Sequence, residues 1–478
     1  MLQLRRRGGQ ASFFDQEIFA RMIPEDHPLV AIDRAVDFSF IDEEVKDLYH
    51  PDQGRPSYPP QTLFRALYLG IWANLSDVQL AQQLRFNVLF RWFCRIGWDD
   101  PVPDDTTLVV FRRRLKESGV YERLLAHLVE QAKAKGLLRG RWMVVDGTKV
   151  AADVAVRNQL ELVREGRRRL VGAVRRVRPE KAEALAKWEK PLADGEYPDR
   201  ESLLSAEMQQ GKALLEQLAD VQDAEVDQLK AQYRAVLDGE GVASFTDPEA
   251  RWGFQKKDEP FLGYKVVASC DEQGWVTAVK VVAGNESEIE QVAPLQQAWD
   301  ERGLHPRAVA ADSAYDAAHL RQELAEAGLR LYAPARHRRS TLPEGFTYDR
   351  EANQVLCPAG QVGRPSPHGK GGFLYVFSQS GCRSCPLRAE CLKAGAQRKV
   401  VYFHPGKRHL RPKGLRVAMR IRKVIERVFA EAKKWHGLGR ARYRGRLGVA
   451  FQAVMTFFVL NTKKLSRWKP AAAASWAA

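Results

Sequence analysis

Six cysteines in 478 residues are too few for a fold held by disulfides. Apolar runs are short as well: none reaches the ~18 consecutive residues of a spanning helix, so no membrane partner is expected. The amino terminus, MLQLRRRGGQ, carries charge with no apolar run behind it, a pattern that excludes an ordinary secretory signal. No GxxxxGK[ST] phosphate loop is present, which speaks against ATP-driven remodelling. Acidic residues are scarce in one place. Between Gly395 and Arg446 two glutamates face 17 lysines and arginines, so this segment carries +15 of a chain whose formal net charge is +16. With 45% hydrophobic and 28% charged residues the composition is that of a soluble, cytoplasmic, basic protein of roughly two to four domains.

The basic segment is not a low-complexity tail. Val417, Ile421, Val424, Ile425, Val428 and Phe429 recur at helical spacing. A folded helix that is apolar on one side and basic on the other is suited to lie between a core and a phosphate backbone. Upstream, residues 12–135 read as helices: TLFRALYLGIWANL, SDVQLAQQLRFNVLFRWF with Ser76 or Asp77 as its cap, and a helix opened by PVPDDTT. The pair joined at Asn74–Asp77 fits a helix-turn-helix DNA reader and equally a pair of bundle helices.

After Gly140 the pattern changes. Trp142–Val145 reads as a buried strand that ends in a turn at Asp146-Gly147-Thr148. Residues 155–240 read as a charged helical hairpin interrupted by Pro179, Pro191 and Pro198. Strands return at YKVVAS and WVTAVKVVAG, followed by a helix over 287–302, the strand RAVAAD, a helix near 317–327 and the strand LRLYAP. A basic helix near 415–435 and an apolar helix near 449–465 close the chain. This order predicts a mixed α/β sheet with helices packed on it.

In such a sheet Asp146 and Asp312 each follow an apolar run and stand where strands deliver side chains to a ligand. Glu426 lies on the basic helix. Taken singly, Asp146-Gly147 is a common turn pair, Asp312 a plausible helix cap and Glu426 a partner for Arg422 one turn away. Together they are three carboxylates whose mutual repulsion a divalent cation relieves. Mg²⁺ prefers hard oxygen ligands, and two ions ~3.5–4 Å apart activate an attacking hydroxyl and stabilise a leaving oxygen.

Several segments resemble the DDE transposases of bacterial insertion sequences. Arg422, Glu426 and Lys433 match the spacing of the tyrosine–arginine–glutamate–lysine signature, with Met419 at the tyrosine position. GLGRARYRG, with Arg440, Arg442 and Arg444, is similar to the family's basic continuation. VVDGTKVAA and ADSAYD resemble the two aspartate motifs, and AGNESE the turn after the third strand. The resemblance implies a ribonuclease-H-like catalytic core over 139–335 and 400–468, holding the 155–240 insertion and preceded by an all-α DNA-binding or dimerisation domain over 1–138. It implies cleavage at the transposon's terminal inverted repeats and strand transfer into target DNA. Asp146, Asp312 and Glu426 would hold two Mg²⁺ or Mn²⁺ ions, and a homodimer would assemble the ends beside the prokaryotic nucleoid. Arg422, Lys423, Lys433, Arg440, Arg442 and Arg444 are the expected DNA contacts. Trp252 is either a core residue or a platform for a displaced base. A relative that binds DNA without chemistry, or a nuclease that cleaves without joining, would share most of these features.

Four of the six cysteines, Cys357, Cys382, Cys385 and Cys391, fall within 35 residues of glycine-rich loop sequence. Their single CxxC and outlying pair fit a tetrahedral structural Zn²⁺, with His368 as a conceivable substitute ligand. A small zinc-ribbon-like insertion is therefore expected over 336–399, and a flexible tail over 469–478.

Overall fold

A computed structural model describes residues 12–49, 57–256, 259–334, 342–368, 372–403 and 414–468. The tail beyond 468 and part of the Cys-rich boundary lie outside the described residues. The chain opens with α1 (Phe13–Met22), α2 (Pro28–Ala35), α3 (Phe40–Val45), α4 (Pro60–Trp72), α5 (Asp77–Phe86), α6 (Val88–Phe93), α7 (Asp105–Glu117) and α8 (Val120–Ala134). Ser76 caps α5 through a reciprocal bond pair with Gln79. The helix expected to run on to Phe93 breaks at Asn87, whose side chain accepts from Phe90 N and starts α6.

Strand β1 (Trp142–Ala151) follows, then a helical insertion of α9 (Gln159–Val177), the short α10 (Ala182–Leu185), α11 (Arg200–Gln217) and α12 (Ala224–Leu237). The expected hairpin is thus three long helices. They share a core of their own around Leu170, Val174, Leu214, Leu218 and Tyr233. The prolines lie in the irregular linker between α9 and α11, where a missing N–H costs nothing.

The main sheet is completed by β2 (Arg251–Lys256), β3 (Glu259–Asp271), β4 (Val276–Ala283), β5 (Ala308–Ala310) and β6 (Arg330–Tyr332), with α13 (Val292–Glu301) and α14 (Ala318–Glu326) between the last strands. Its order is β2-β3-β1-β5-β6, with β4 also paired to β3. β1 runs antiparallel to β3 and parallel to β5. The helix expected from Ser287 starts only at Val292, after a 3₁₀ turn over Ile289–Gln291. The Cys-rich segment forms a separate five-stranded sheet of β7 (Thr347–Asp349), β8 (Gln354–Leu356), β9 (Val362–His368), β10 (Gly372–Val376) and β11 (Val400–Phe403). Two short helices, α15 (Gln379–Arg383) and α16 (Arg388–Cys391), lie between β10 and β11. The basic helix α17 (Leu415–His436) and the apolar helix α18 (Arg446–Ser466) end the chain.

α18 explains why the layers hold together. It is buried nearly all round, packing on α2, α4, α7 and α8 on one side and on β3 and β4 on the other. Asn461 makes this docking specific by pairing with both main-chain groups of Val276, at 3.0 and 2.9 Å. One apolar cluster consequently runs from α2 through α18 into β1, β3 and β4. A second, around Trp299, Leu295 and Val309, fills the opposite face of the sheet. No helix among the described residues is long and apolar enough to cross a membrane.

Candidate active site

The first surprise is β1. Asp146-Gly147-Thr148 is no turn, because the β3 ladder continues without a break from Met143↔Asp271 to Ala151↔Gly263. Asp146 therefore sits mid-strand. β5 pairs only with Trp142, Met143 and Val144, and the next partner on that side is a single parallel bridge from Ala151 to Arg440. Between them β1 has no strand partner on that side among the described residues, and Asp146 lies on this open edge. Asp312 follows β5 by two residues, and its Oδ1 accepts from Ala314 N at 2.7 Å. It is both a cap and a neighbour of Asp146.

α17 packs across β1 and β5. Ile425, Phe429 and Ala432 face the core, so Arg422 and Glu426, one turn apart, fall on the side that looks along the sheet edge. Arg422 bridges the two elements: its guanidinium donates to Asp146 Oδ2 at 3.1 Å and to Glu426 Oε1 at 2.5 Å. Met419, at the tyrosine position of the signature, is partly buried against the core and brings no hydroxyl.

Burial pushes the Asp146 carboxyl up from 3.8 to about 7, and the Asp312 charge adds to the rise against the pull of Arg422. Glu288 contributes in the same direction. This carboxylate was missed by sequence reasoning. It reaches back from the turn after β4 and fills the space over Gly147, where any Cβ would collide with it. Lys265 stands 3.6 Å from its Oε1, and Tyr315 donates to its Oε2 at 3.3 Å. The signal was present in Gly147 itself, a glycine in a buried strand that marks a close approach rather than a turn.

The acids do not form a closed metal cage. Among the described residues no three His, Cys, Asp or Glu side chains converge closely enough to hold an ion. Without a cation the three expected carboxylates stand near one another but apart. The physical reason is Arg422, which supplies the counter-charge between Asp146 and Glu426 and holds them apart by the width of a guanidinium. The donor set nevertheless fits a hard cation: a desolvated carboxylate with a raised pKa beside a second one is stabilised by added positive charge.

A stability prediction follows. The native carboxyl of Asp146 holds its proton up to about pH 7, whereas the unfolded one releases it near 3.8. Its unfavourable ionisation therefore weakens the metal-free fold progressively as pH rises across that window, by a ceiling of roughly 4 kcal/mol. Asp146→Asn is expected to raise the melting temperature in chelator at pH 8, with the gain fading towards pH 4. Equal melting of the two proteins at both pH values would show that the burial penalty is absent.

The other expected DNA contacts divide. Lys423 and Arg444 are exposed. Trp252 is 42% exposed on the edge strand β2, which removes the core reading. Arg440 is exposed but paired with Asp153 at 2.5 Å. Arg442 is a correction: its guanidinium donates to Gly70 O at 3.0 Å, Leu75 O at 2.8 Å and Asn74 Oδ1 at 2.6 Å. It ties the α4–α5 corner to the loop after α17 and has little left to offer a phosphate.

Beside the second sheet Cys357, Cys382, Cys385 and Cys391 are half-buried free thiols around one cavity of about 20 Å³. Gln361 N donates to Cys357 Sγ at 3.3 Å and Lys399 N to Cys382 Sγ at 3.5 Å. The side chain of His368 lies outside the described residues. The four cysteines line one pocket, and among the described residues no three of these groups converge as a ligand cage.

Comparison with known families agrees with this geometry. Residues 17–114 match the family described as Transposase domain (DUF772), and residues 229–462 match the Transposase DDE domain. The second match contains Asp312 and Glu426. The chain belongs to the DDE transposases. This transposase is accordingly an enzyme acting on DNA phosphodiesters, and its function is DNA transposition. Members of the family use divalent metal ions. Asp146 lies outside the DDE match, and its assignment stands on β1 and Arg422.

Proposed function

We propose that this transposase cleaves DNA at the ends of its insertion sequence and joins the freed 3′-hydroxyls to target DNA, using Asp146, Asp312 and Glu426. The observation that carries the reading is Arg422, one side chain in contact with both Asp146 and Glu426 while Asp146 responds to the charge of Asp312. Three acids separated by 166 and 114 residues of chain are thereby tied to one sheet edge. The order β4-β3-β1-β5-β6 supports a ribonuclease-H-like core over 139–335 and 400–468.

Mg²⁺ or Mn²⁺ held by these carboxylates, as two ions, would activate the attacking hydroxyl and stabilise the leaving oxygen. Arg422 is placed to move its charge from the carboxylates to a phosphate as cations take over the neutralising role. Lys423, Lys433 and Arg444 extend the positive surface along the DNA, and exposed Trp252 offers a stacking face to an unpaired base. Residues 1–138 supply further DNA contacts or the surface through which two protomers bring two ends together, and the protein works in the cytoplasm at the nucleoid.

The test is incubation of the full chain with duplexes carrying the element's own ends, with and without Mg²⁺, products being resolved strand by strand. Metal-dependent 3′ nicks at the ends, followed by joined products, are expected. Cleavage that proceeds equally in chelator would overturn the carboxylate reading.

Within the same proposal the Cys-rich sheet is a structural zinc module over 336–399. Backbone N–H groups directed at two of the sulfurs, and the four cysteines lining one cavity, support it. Elemental analysis of purified protein is expected to give one zinc per chain. Cys385→Ser should release it and lower the melting temperature while the main sheet stays folded. Metal-free wild-type protein with unchanged stability in chelator would discard the module.

A further inference from the structure

Side chains alternate along β1, so Asp146 looks towards α17 while Gly147 looks the other way, with Val145, into the cluster around Trp299. On that rear side the segment after β4 crosses behind the strand and sets the Glu288 carboxylate on Gly147. A Cβ there would stand 3.0 Å from Glu288 Oε1 and closer still to Oε2. The peptide beneath Glu288 is the one that orients the first aspartate, since Gly147 N donates to Asp146 Oδ1 at 2.9 Å.

The second aspartate is tied to the same spot. Asp312 opens the 3₁₀ turn over Ser313–Tyr315 and accepts from Ala314 N at 2.7 Å. The turn ends in Tyr315, which is 1% exposed in the rear cluster and donates its hydroxyl to Glu288 Oε2 at 3.3 Å. Burial, with the charges of Glu288, Asp146 and Asp312, keeps that hydroxyl protonated and hence a donor. Glu288 itself is steadied from β3. Lys265 lies 3.6 Å from its Oε1 and donates to the carbonyl of Glu286 at 3.0 Å. One side chain thus touches the backbone that holds Asp146 and the residue that closes the turn of Asp312.

We infer that Glu288 is a positioning residue for the reaction: through Gly147 and Tyr315 it sets the spacing of Asp146 and Asp312, and with it the affinity of that pair for a divalent cation. The inference rests on the proposed function, which gives these two aspartates a shared metal. Mg²⁺ demands near-ideal ligand distances, so a small change in the spacing of two carboxylates is felt as lost affinity. Groups standing behind metal ligands commonly change metal affinity by roughly 10–100-fold. Glu288 acts from behind the strand and does not touch the reacting atoms.

The experiment measures Mn²⁺ binding to the full-length protein without DNA, by electron paramagnetic resonance of the free ion, beside the Mg²⁺ concentration that half-saturates cleavage. Glu288→Ala and Tyr315→Phe should each weaken Mn²⁺ binding about tenfold and raise the Mg²⁺ requirement by a like factor. Cleavage at saturating Mg²⁺ should largely recover. Because the two residues act through one hydrogen bond, the double variant should lose little more than Glu288→Ala alone. Glu288→Gln keeps the size and an oxygen for the Tyr315 hydroxyl, and should stay close to the parent.

Parental Mn²⁺ affinity in Tyr315→Phe and Glu288→Ala would overturn the inference. Equal losses in Glu288→Gln and Glu288→Ala would also overturn it, by assigning the effect to charge alone. Tyr315→Phe removes a single hydroxyl, so it keeps the test decisive if Glu288→Ala fails to fold. A parent protein that neither binds Mn²⁺ nor cleaves would instead overturn the proposed function, and the two failures are thus distinguishable.

Discussion

Asp312→Asn is expected to leave DNA binding within about threefold and to reduce Mg²⁺-dependent cleavage by about three orders of magnitude or more. Two arguments set these limits. An asparagine keeps an oxygen able to accept the Ala314 N–H, so the turn after β5 and the strand itself stay in place. What is lost is one negative oxygen donor at the site where Asp146 already feels its charge. Metal-based stabilisation of a phosphoryl transition state amounts to several kcal/mol, and each 1.36 kcal/mol is a factor of ten in rate. Strand-resolved cleavage assays beside an equilibrium binding titration measure both quantities. Cleavage by the variant within tenfold of the parent would remove Asp312 from the chemistry, whatever its place in the fold.

Gly263→Ala is expected to cost more than 3 kcal/mol and, in most preparations, the folded protein. Gly263 pairs with Ala151 of β1 on one side and with Arg251 of β2 on the other, while its carbonyl accepts from Gly284 N at 2.9 Å. Any Cβ there would overlap the carbonyl of Val150 and lie 2.7 Å from the nitrogen of Ala152. Those are backbone atoms of the strand that carries Asp146, so relief would require moving the strand itself. Gly172→Ala is the counterpart. Gly172 lies inside α9 with open space around a new Cβ, and the change should add about 0.5–1 kcal/mol by the usual helix preference. Thermal or denaturant unfolding of the two variants separates the contact argument from a general intolerance of glycine replacement. Equal effects would refute it.

Local pattern was enough wherever one element buries one face. The stripe through Ile421, Ile425 and Phe429 gave α17 to within a residue of its observed ends, since a helix against a sheet must repeat its apolar side chains at that period. The mostly apolar α18 and the short strands β5 and β6 were legible from their apolar runs, since little of these elements reaches water. β1 was not. Asp-Gly usually turns a chain, and nothing local says that the next four residues will find partners 112 to 118 residues away in β3. Arg442 failed in a related way. An arginine in a basic, glycine-rich loop looks solvent-directed until the α4–α5 corner, far upstream, is folded onto it.

At the candidate site the division is sharper. Asp146, Asp312 and Glu426 stand out as candidates because acids after apolar runs, and an acid in a basic helix, are locally conspicuous. Glu288 does not, because a turn glutamate has an ordinary local role. Its distinction comes from what stands opposite, Gly147 and Tyr315.

The amino-acid sequence by itself determined that this protein is basic, that its charge is gathered on one amphipathic helix, and that its carboxylates stand at the edges of apolar segments. These are properties of composition and short-range periodicity, set by how each residue partitions between water and a core. Only the tertiary structure decided that β1 runs through Asp146, that Arg422 couples two of the acids, and that Glu288 closes over Gly147. Charges act over a few ångströms of space regardless of sequence separation, and chain order alone does not say which of them folding will bring within that range.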